Sequence, residues 1–209
     1  KYPDQPIDRG KILWEEDLQN FLQNHENDYG RYKDFDKDTI PYRTLVGNLH
    51  PKAPYFTRGT GHDEYANYSE DSETWLLSME RLKHKFQNAV KFTPKPEIEE
   101  NNKNIGIITT GSASFPVIEA RDILRTKGIE TDYLRLRSLP LHEEVKDFIN
   151  RHDYCYVVEL NRDGQLHQII SVNMYDTCLD LRKVAKVDGM PLSAKWIVNE
   201  ILKIKKKKK

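Results

Sequence analysis

Apolar positions recur along this chain with two different periods. Between residues 73 and 92, Trp75, Met79, Leu82, Phe86 and Ala89 step by three or four residues, which predicts one long helix with an apolar stripe packed against a core. The run IGIITT at 105–110 is short, apolar and bounded by polar residues, the pattern of a buried strand. Gly111 and Ser112 interrupt it. Pro116, Val117, Ala120, Ile123 and Leu124 then recur at helical spacing over 115–127 until Gly128 stops the helix.

The same alternation continues to the end. Strands are predicted at 129–136, 154–160 and 181–187, and helices at 143–150, 165–176 and 193–204. Strands joined through helices run parallel with right-handed crossovers, so the fold class expected is α/β with an open, mostly parallel sheet.

The first half is less regular. Ile12, Leu13, Leu18, Phe21 and Leu22 mark one early helix, with Glu15, Glu16 and Asp17 where acids suit the helix dipole. Residues 30–72 lack periodicity and are rich in Gly, Pro, Asp and Asn. Tyr29, Tyr32, Tyr42, Tyr55, Phe56, Tyr65 and Tyr68 argue for an ordered loop region pinned by aromatic contacts. The prolines of TPKP at 93–96 end the long helix, and the polar run 97–103 reads as a linker. The expected organisation is therefore one domain over 1–96, an α/β domain over 97–204 and a basic tail at 205–209.

Composition narrows the function classes. The chain has 209 residues, a hydrophobic fraction of 37%, a charged fraction of 32% and zero formal net charge. No apolar run approaches the ~20 residues of a membrane span. Residues 1–100 carry five more acids than bases, and residues 101–209 five more bases than acids; Lys205–Lys209 account for that excess. A solvated lysine tail with no nucleic-acid role is expected. Two cysteines, Cys155 and Cys178, form no CxxC pair, so no iron–sulfur or zinc site is expected within the chain, and a cytoplasmic setting fits. Cys155 in YCYVVEL reads as a core thiol. The chain opens at Lys1 without an initiator Met or a charged-then-apolar leader, as expected of a piece of a longer polypeptide.

Three stretches carry candidate chemistry. In RGTGHDEYANYSED at 58–71, His62, Asp63 and Glu64 place an imidazole beside two carboxylates. This is a polar cluster at the edge of an active site, a metal site, or a helix start capped by Asp63 or Ser69. The turn at Gly111 and Ser112 offers free N–H groups at a helix start, an anion-binding geometry, but it matches neither GxGxxG nor a P-loop. Glu159 closes a strand ahead of Asn161, Arg162 and Asp163, at the carboxyl edge where open sheets place ligands or partners.

PDQPIDRGK near the start, IPYRT at 40–44, RGTGHDEYANYSED, MERLKHKF, NIGIITTGS and VELNRDGQL together resemble the alpha subunit of 2-oxoacid:ferredoxin oxidoreductases of the 2-oxoglutarate type. The resemblance runs from about Pro3 to the last helix. It implies that the later half is similar to the transketolase C-terminal domain. The earlier half then comes from the end of a thiamine pyrimidine-binding domain with its connecting loops. It also implies thiamine-dependent oxidative decarboxylation, giving acyl-CoA, CO2 and reduced ferredoxin. Thiamine diphosphate, Mg2+ and a [4Fe-4S] cluster are implied for the full complex, with none bound by this chain alone. The implied partners are the beta subunit, ferredoxin, the 2-oxoacid and coenzyme A. The family's YPITP-type substrate motif is expected upstream of Lys1, so the chain alone is expected to be inactive. Asp38 matches a family position for substrate recognition, with Thr39 in place of the usual Gly, and Arg43 follows in IPYRT. Arg58, His62 and Asp63 stand as a second tier facing the site or the beta subunit. The alternatives are a non-catalytic assembly module and a nucleotide-binding α/β domain using Gly111 and Ser112.

Overall fold

The computed structural model describes residues 8–57, 59–175 and 180–207. The chain divides into two units, 1–89 and 90–209.

In the first unit, helix α1 (Glu15–Asn24) starts where the Asp17 carboxylate accepts the Trp14 N–H at 3.1 Å. Its apolar face, Leu18, Phe21 and Leu22, is buried with Leu13 and Ala53, and Tyr29, Phe35 and Tyr42 pack against that cluster. The Phe21 ring stacks on His25 at 3.9 Å and meets Phe35 edge-on at 5.0 Å. These contacts order the irregular region through its aromatics.

Helix α2 (Ser72–Asn88) is capped by Asp71, whose carboxylate accepts the Thr74 N–H at 2.8 Å; neither Asp63 nor Ser69 caps it. A short 3-10 turn (Ala89–Phe92) extends it. The expectation that its apolar stripe packs into a core fails: no residue of α2 is buried, and Trp75 and Phe86 are 53% and 60% exposed. The helix rests on its own unit through polar groups instead. Ser78 donates to the His62 carbonyl at 3.3 Å, and Asn88 donates to the Thr39 hydroxyl at 3.1 Å.

The second unit is an open five-stranded sheet: β1 (Glu97–Glu99), β2 (Ile105–Thr110), β3 (Asp132–Leu136), β4 (Tyr154–Glu159) and β5 (Leu181–Ala185). The strand order is β1-β3-β2-β4-β5, parallel except for β1, so the α/β class with a mostly parallel open sheet is the fold. Helices α3 (Ser114–Thr126), α4 (Glu143–Asn150), α5 (Gln165–Asn173) and α6 (Ala194–Lys207) cover both faces. Alternation along β2 assigns the faces. Ile107 and Tyr156 join Val117, Leu124, Ile197 and Ile201 of α3 and α6. Ile108 and Val157 join Val145, Phe148, Leu166 and Ile170 of α4 and α5. Strands buried on both faces read as continuous apolar runs, which is why the sequence pattern finds them.

Several boundaries differ from expectation. Helix α6 runs on to Lys207, into the stretch expected as a tail, α5 ends at Asn173 and β5 at Ala185. Gly128, at φ +73°, ends α3 in a Schellman turn, in which the Ile129 N–H donates to the Leu124 carbonyl and the Gly128 N–H to that of Arg125. Ile129 therefore belongs to the helix cap, and the strand begins at Asp132. The stretch 97–103 is not a plain linker, because Glu97–Glu99 adds an antiparallel edge strand. The buried Asp132 carboxylate then accepts the N–H groups of Asn101 (2.8 Å) and Lys103 (3.2 Å).

Candidate functional site

At the carboxyl edge of the sheet, the chain leaves β2 for α3 and β4 for α5 on opposite sides of the strand-order reversal, where open α/β sheets form a crevice. A cleft of about 530 Å³ opens there, lined by Thr110, Gly111, Ser112, Arg137, Glu159 and Asn161 among others. Gly111 adopts φ +58°, and its carbonyl accepts the Ser114 hydroxyl at 2.7 Å, which folds the turn under the helix start. On the other wall, the buried Glu159 carboxylate accepts the N–H groups of Leu166 (2.7 Å) and His167 (3.0 Å) and the Asn161 amide. Asn161 Oδ1 accepts the N–H groups of Gly164 and Gln165. The positive end of α5 is thus already answered by a resident carboxylate. Arg162 pairs with its neighbour Asp163 at 2.7 Å.

In the first unit, Asp38 and Arg43 come to one small region through the segment 11–13. The Arg43 N–H donates to the Lys11 carbonyl, and the Leu13 N–H to the Arg43 carbonyl, both at 2.9 Å. The Arg43 guanidinium donates to the Arg9 carbonyl at 2.8 Å. Lys11 Nζ sits between Asp36 (2.6 Å) and Asp38 (2.7 Å). Burial pulls the Lys11 ammonium down, but the bonds to both carboxylates win and raise it. Lys11 in turn holds the Asp36 and Asp38 carboxyls below the usual carboxylate range, helped at Asp38 by the Ile40 N–H. Lys11 closes the PDQPIDRGK stretch, but the motif does not show this role, because its partner Asp36 lies 25 residues away.

The loop after Gly59 is folded around Asp63. One carboxylate oxygen accepts the N–H groups of Tyr65 (2.9 Å) and Asn67 (2.8 Å), and the other accepts the Asn67 side-chain amide (3.0 Å). His62 stacks on Tyr32 with centroids 4.1 Å apart, and its Nδ1 donates to the Asp63 carbonyl at 2.9 Å. Glu64 turns to Lys33 at 3.4 Å. Asp63 therefore organises the loop, and among the described residues no group of three or more His, Cys, Asp or Glu is arranged to hold a metal. Arg58 lies outside the described residues. Among those described, no helix is long and apolar enough to cross a membrane.

The fold places the later half among open, doubly wound α/β domains. Comparison with known proteins gives the particular likeness. The chain is 25% identical over 205 residues to 2-oxoacid:ferredoxin oxidoreductase 2, subunit alpha, of Aeropyrum pernix, covering 95% of this chain and 29% of that protein. It is 28% identical over 208 residues to oxidoreductase 1, subunit alpha, of the same organism, covering 95% of this chain and 30% of that protein. A solved structure of 2-oxoglutarate:ferredoxin oxidoreductase from Magnetococcus marinus, with 2-oxoglutarate, coenzyme A and succinyl-CoA bound, superposes with a TM-score of 0.71 at 24% identity, over 84% of this chain and 30% of that one. No protein-family model matches. The chain thus resembles 2-oxoacid:ferredoxin oxidoreductase alpha subunits over nearly its whole length, and it spans about 30% of the length of the relatives it matches.

Proposed function

We propose that the chain is the C-terminal portion of the alpha subunit of a 2-oxoacid:ferredoxin oxidoreductase of the 2-oxoglutarate type. The assembled enzyme would decarboxylate the oxoacid oxidatively, giving acyl-CoA, CO2 and reduced ferredoxin. The observation that most supports this is likeness to two alpha subunits across 95% of the chain. On this proposal, residues 1–96 end a pyrimidine-binding-type domain, and 97–204 form a domain like the transketolase C-terminal domain.

The cysteines of this chain do not suffice for the iron–sulfur cluster of that reaction. A [4Fe-4S] cluster takes four thiolates, and the sequence holds two cysteines. Thiamine diphosphate, Mg2+ and the cluster would be held elsewhere in the complex, where thiamine supplies the electron sink. This chain would contribute binding and orientation. Arg43 carries a guanidinium fork suited to a carboxylate, and Asp38 fixes the ammonium of Lys11, whose carbonyl accepts the Arg43 N–H.

The test is Asp38→Ala, Arg43→Ala and Lys11→Met in the assembled complex, with KM for the oxoacid as the readout. A rise of about tenfold in KM with kcat held is expected for loss of one charged contact. An unchanged KM in all three removes these residues from substrate binding.

An assembly role has its own support. The exposed face of α2 carries Trp75, Met79, Leu82 and Phe86, an apolar stripe suited to burial against the beta subunit. If complex formation fails in Leu82→Asp while that variant folds normally, docking is the main contribution of this segment.

A further inference from the structure

Asp132, the first residue of β3, and His152, just past the end of α4, form a buried pair in the second unit. Their side chains are 3% and 1% exposed, and His152 Nε2 lies 3.3 Å from Asp132 Oδ2. The other ring nitrogen, Nδ1, lies 2.5 Å from the Phe148 carbonyl in the last turn of α4. A neutral imidazole has one N–H and one bare lone pair, and only the imidazolium has two N–H groups. Here both nitrogens face acceptors, a carboxylate and a helix carbonyl. Either neutral tautomer sets a lone pair against an oxygen inside the protein, where an unanswered polar group is costly. The carboxyl-terminal end of a helix also favours a cation.

The same carboxylate holds the connection between β1 and β2. Asp132 Oδ1 accepts the Asn101 N–H at 2.8 Å, and Oδ2 accepts the Lys103 N–H at 3.2 Å. The Asp153 N–H donates to the Asn104 carbonyl at 2.9 Å, and the Asn104 amide donates to the Asp153 carboxylate at 3.1 Å. The other charges around the pair answer one another. Glu100 pairs with Arg151, at the end of α4, at 2.7 Å, and Lys103 pairs with Glu130, ahead of β3, at 2.6 Å. Among the described residues, the ion pair open to Asp132 is the one with His152.

We infer that His152 and Asp132 form a pH-sensitive latch: His152 is an imidazolium in the folded chain, and loss of its proton loosens the connection 100–104 and, with it, the edge strand β1. With the proton in place, the buried carboxylate meets one cation and two backbone N–H groups. Without it, the carboxylate keeps its charge and loses the cation. The pair contributes only where His152 is charged, so the latch is closed at acid pH and opens as pH rises. The element it holds is the one in the sheet most easily released. β1 has three residues and pairs with β3 alone. The inference does not depend on the oxidoreductase proposal and stands or falls separately from it.

The test is nuclear magnetic resonance on the full chain between about pH 5.5 and 8.5, on both sides of the ordinary imidazole range. At the acid end, both ring nitrogens of His152 are expected to carry protons. Amide exchange, corrected for its intrinsic pH dependence, is expected to quicken about tenfold or more at Asn101 and Lys103 toward the alkaline end, with Ile108 in β2 unchanged. His152→Gln should abolish that step, and His84→Gln, on an exposed part of α2, should leave it in place. If His152→Gln fails to fold, the ring-nitrogen spectrum and the amide exchange of the parent still decide. A single protonated ring nitrogen at the acid end, or no quickening at Asn101 and Lys103, would overturn the latch. Equal quickening at Ile108 would overturn it in favour of global opening, and a step that survives in His152→Gln would assign it to another group.

Discussion

The Glu159 carboxylate, at the end of β4, accepts the Leu166 N–H at 2.7 Å in the first turn of α5. The strand's last side chain thereby caps the helix that follows, inside the protein. Glu159→Ala leaves the Leu166 and His167 N–H groups without that acceptor. The expected cost is about 2–4 kcal/mol of stability, and Glu159→Gln, which keeps one acceptor, costs less. Urea denaturation of the two variants beside the parent measures both.

Gly106 in β2 has no room for a side chain. A Cβ there would sit 2.6 Å from Cys155 Sγ and 2.7 Å from Phe148 Cε1, both in the packed face beneath α4. Gly106→Ala should lower stability by roughly 1–3 kcal/mol through overpacking. Gly59→Ala meets nothing within 4 Å and should leave the denaturation midpoint nearly unchanged.

The loop folded on Asp63 gives a pH signature. Burial pushes this carboxyl up, but the bonds from Asn67 and Tyr65 outweigh it and hold its pKa below the usual value of about 3.9. A carboxylate depressed in the folded state stabilises above its unfolded pKa, and that stability is lost as pH falls through the folded value. Asp63→Ala should therefore cost about 1–2 kcal/mol near neutral pH, with the deficit shrinking below about pH 4. Thermal unfolding of parent and variant between pH 3 and 7, followed by circular dichroism, gives the difference, with pH 7 as the neutral point of about full effect.

Burial pushes the Cys155 thiol up to about 12, against a small opposing pull from the Gly106 backbone. The thiolate is the reactive form, so in a Cys178→Ser background Cys155 should resist alkylation at pH 8, about the free-thiol pKa. Labelling should appear only with unfolding, and mass spectrometry across a urea series checks it.

The central strands β2 and β4 were legible because burial on both faces leaves their middles almost wholly apolar. The runs at Ile107 to Thr110 and Cys155 to Glu159 announce themselves, and Gly128 announces the end of α3. Three features were not legible, each for a physical reason. Periodicity shows that α2 has an apolar face, but not that the helix lies on its polar side, through Ser78 and Asn88. The edge strand Glu97–Glu99 is charged at both ends and takes its place only from pairing with β3. Contacts such as Lys11 with Asp38, or Arg31 and Arg81 about Tyr32, join residues far apart in sequence, and no local pattern records them.

The most direct test of the oxidoreductase proposal is to tag this polypeptide at its native locus, purify the complex it travels with, and measure viologen reduction that requires both a 2-oxoacid and coenzyme A. Association with a second, beta-type subunit and 2-oxoglutarate-dependent reduction is the outcome expected. A tagged polypeptide recovered with its complex intact, yet without any oxoacid-dependent reduction, would contradict it.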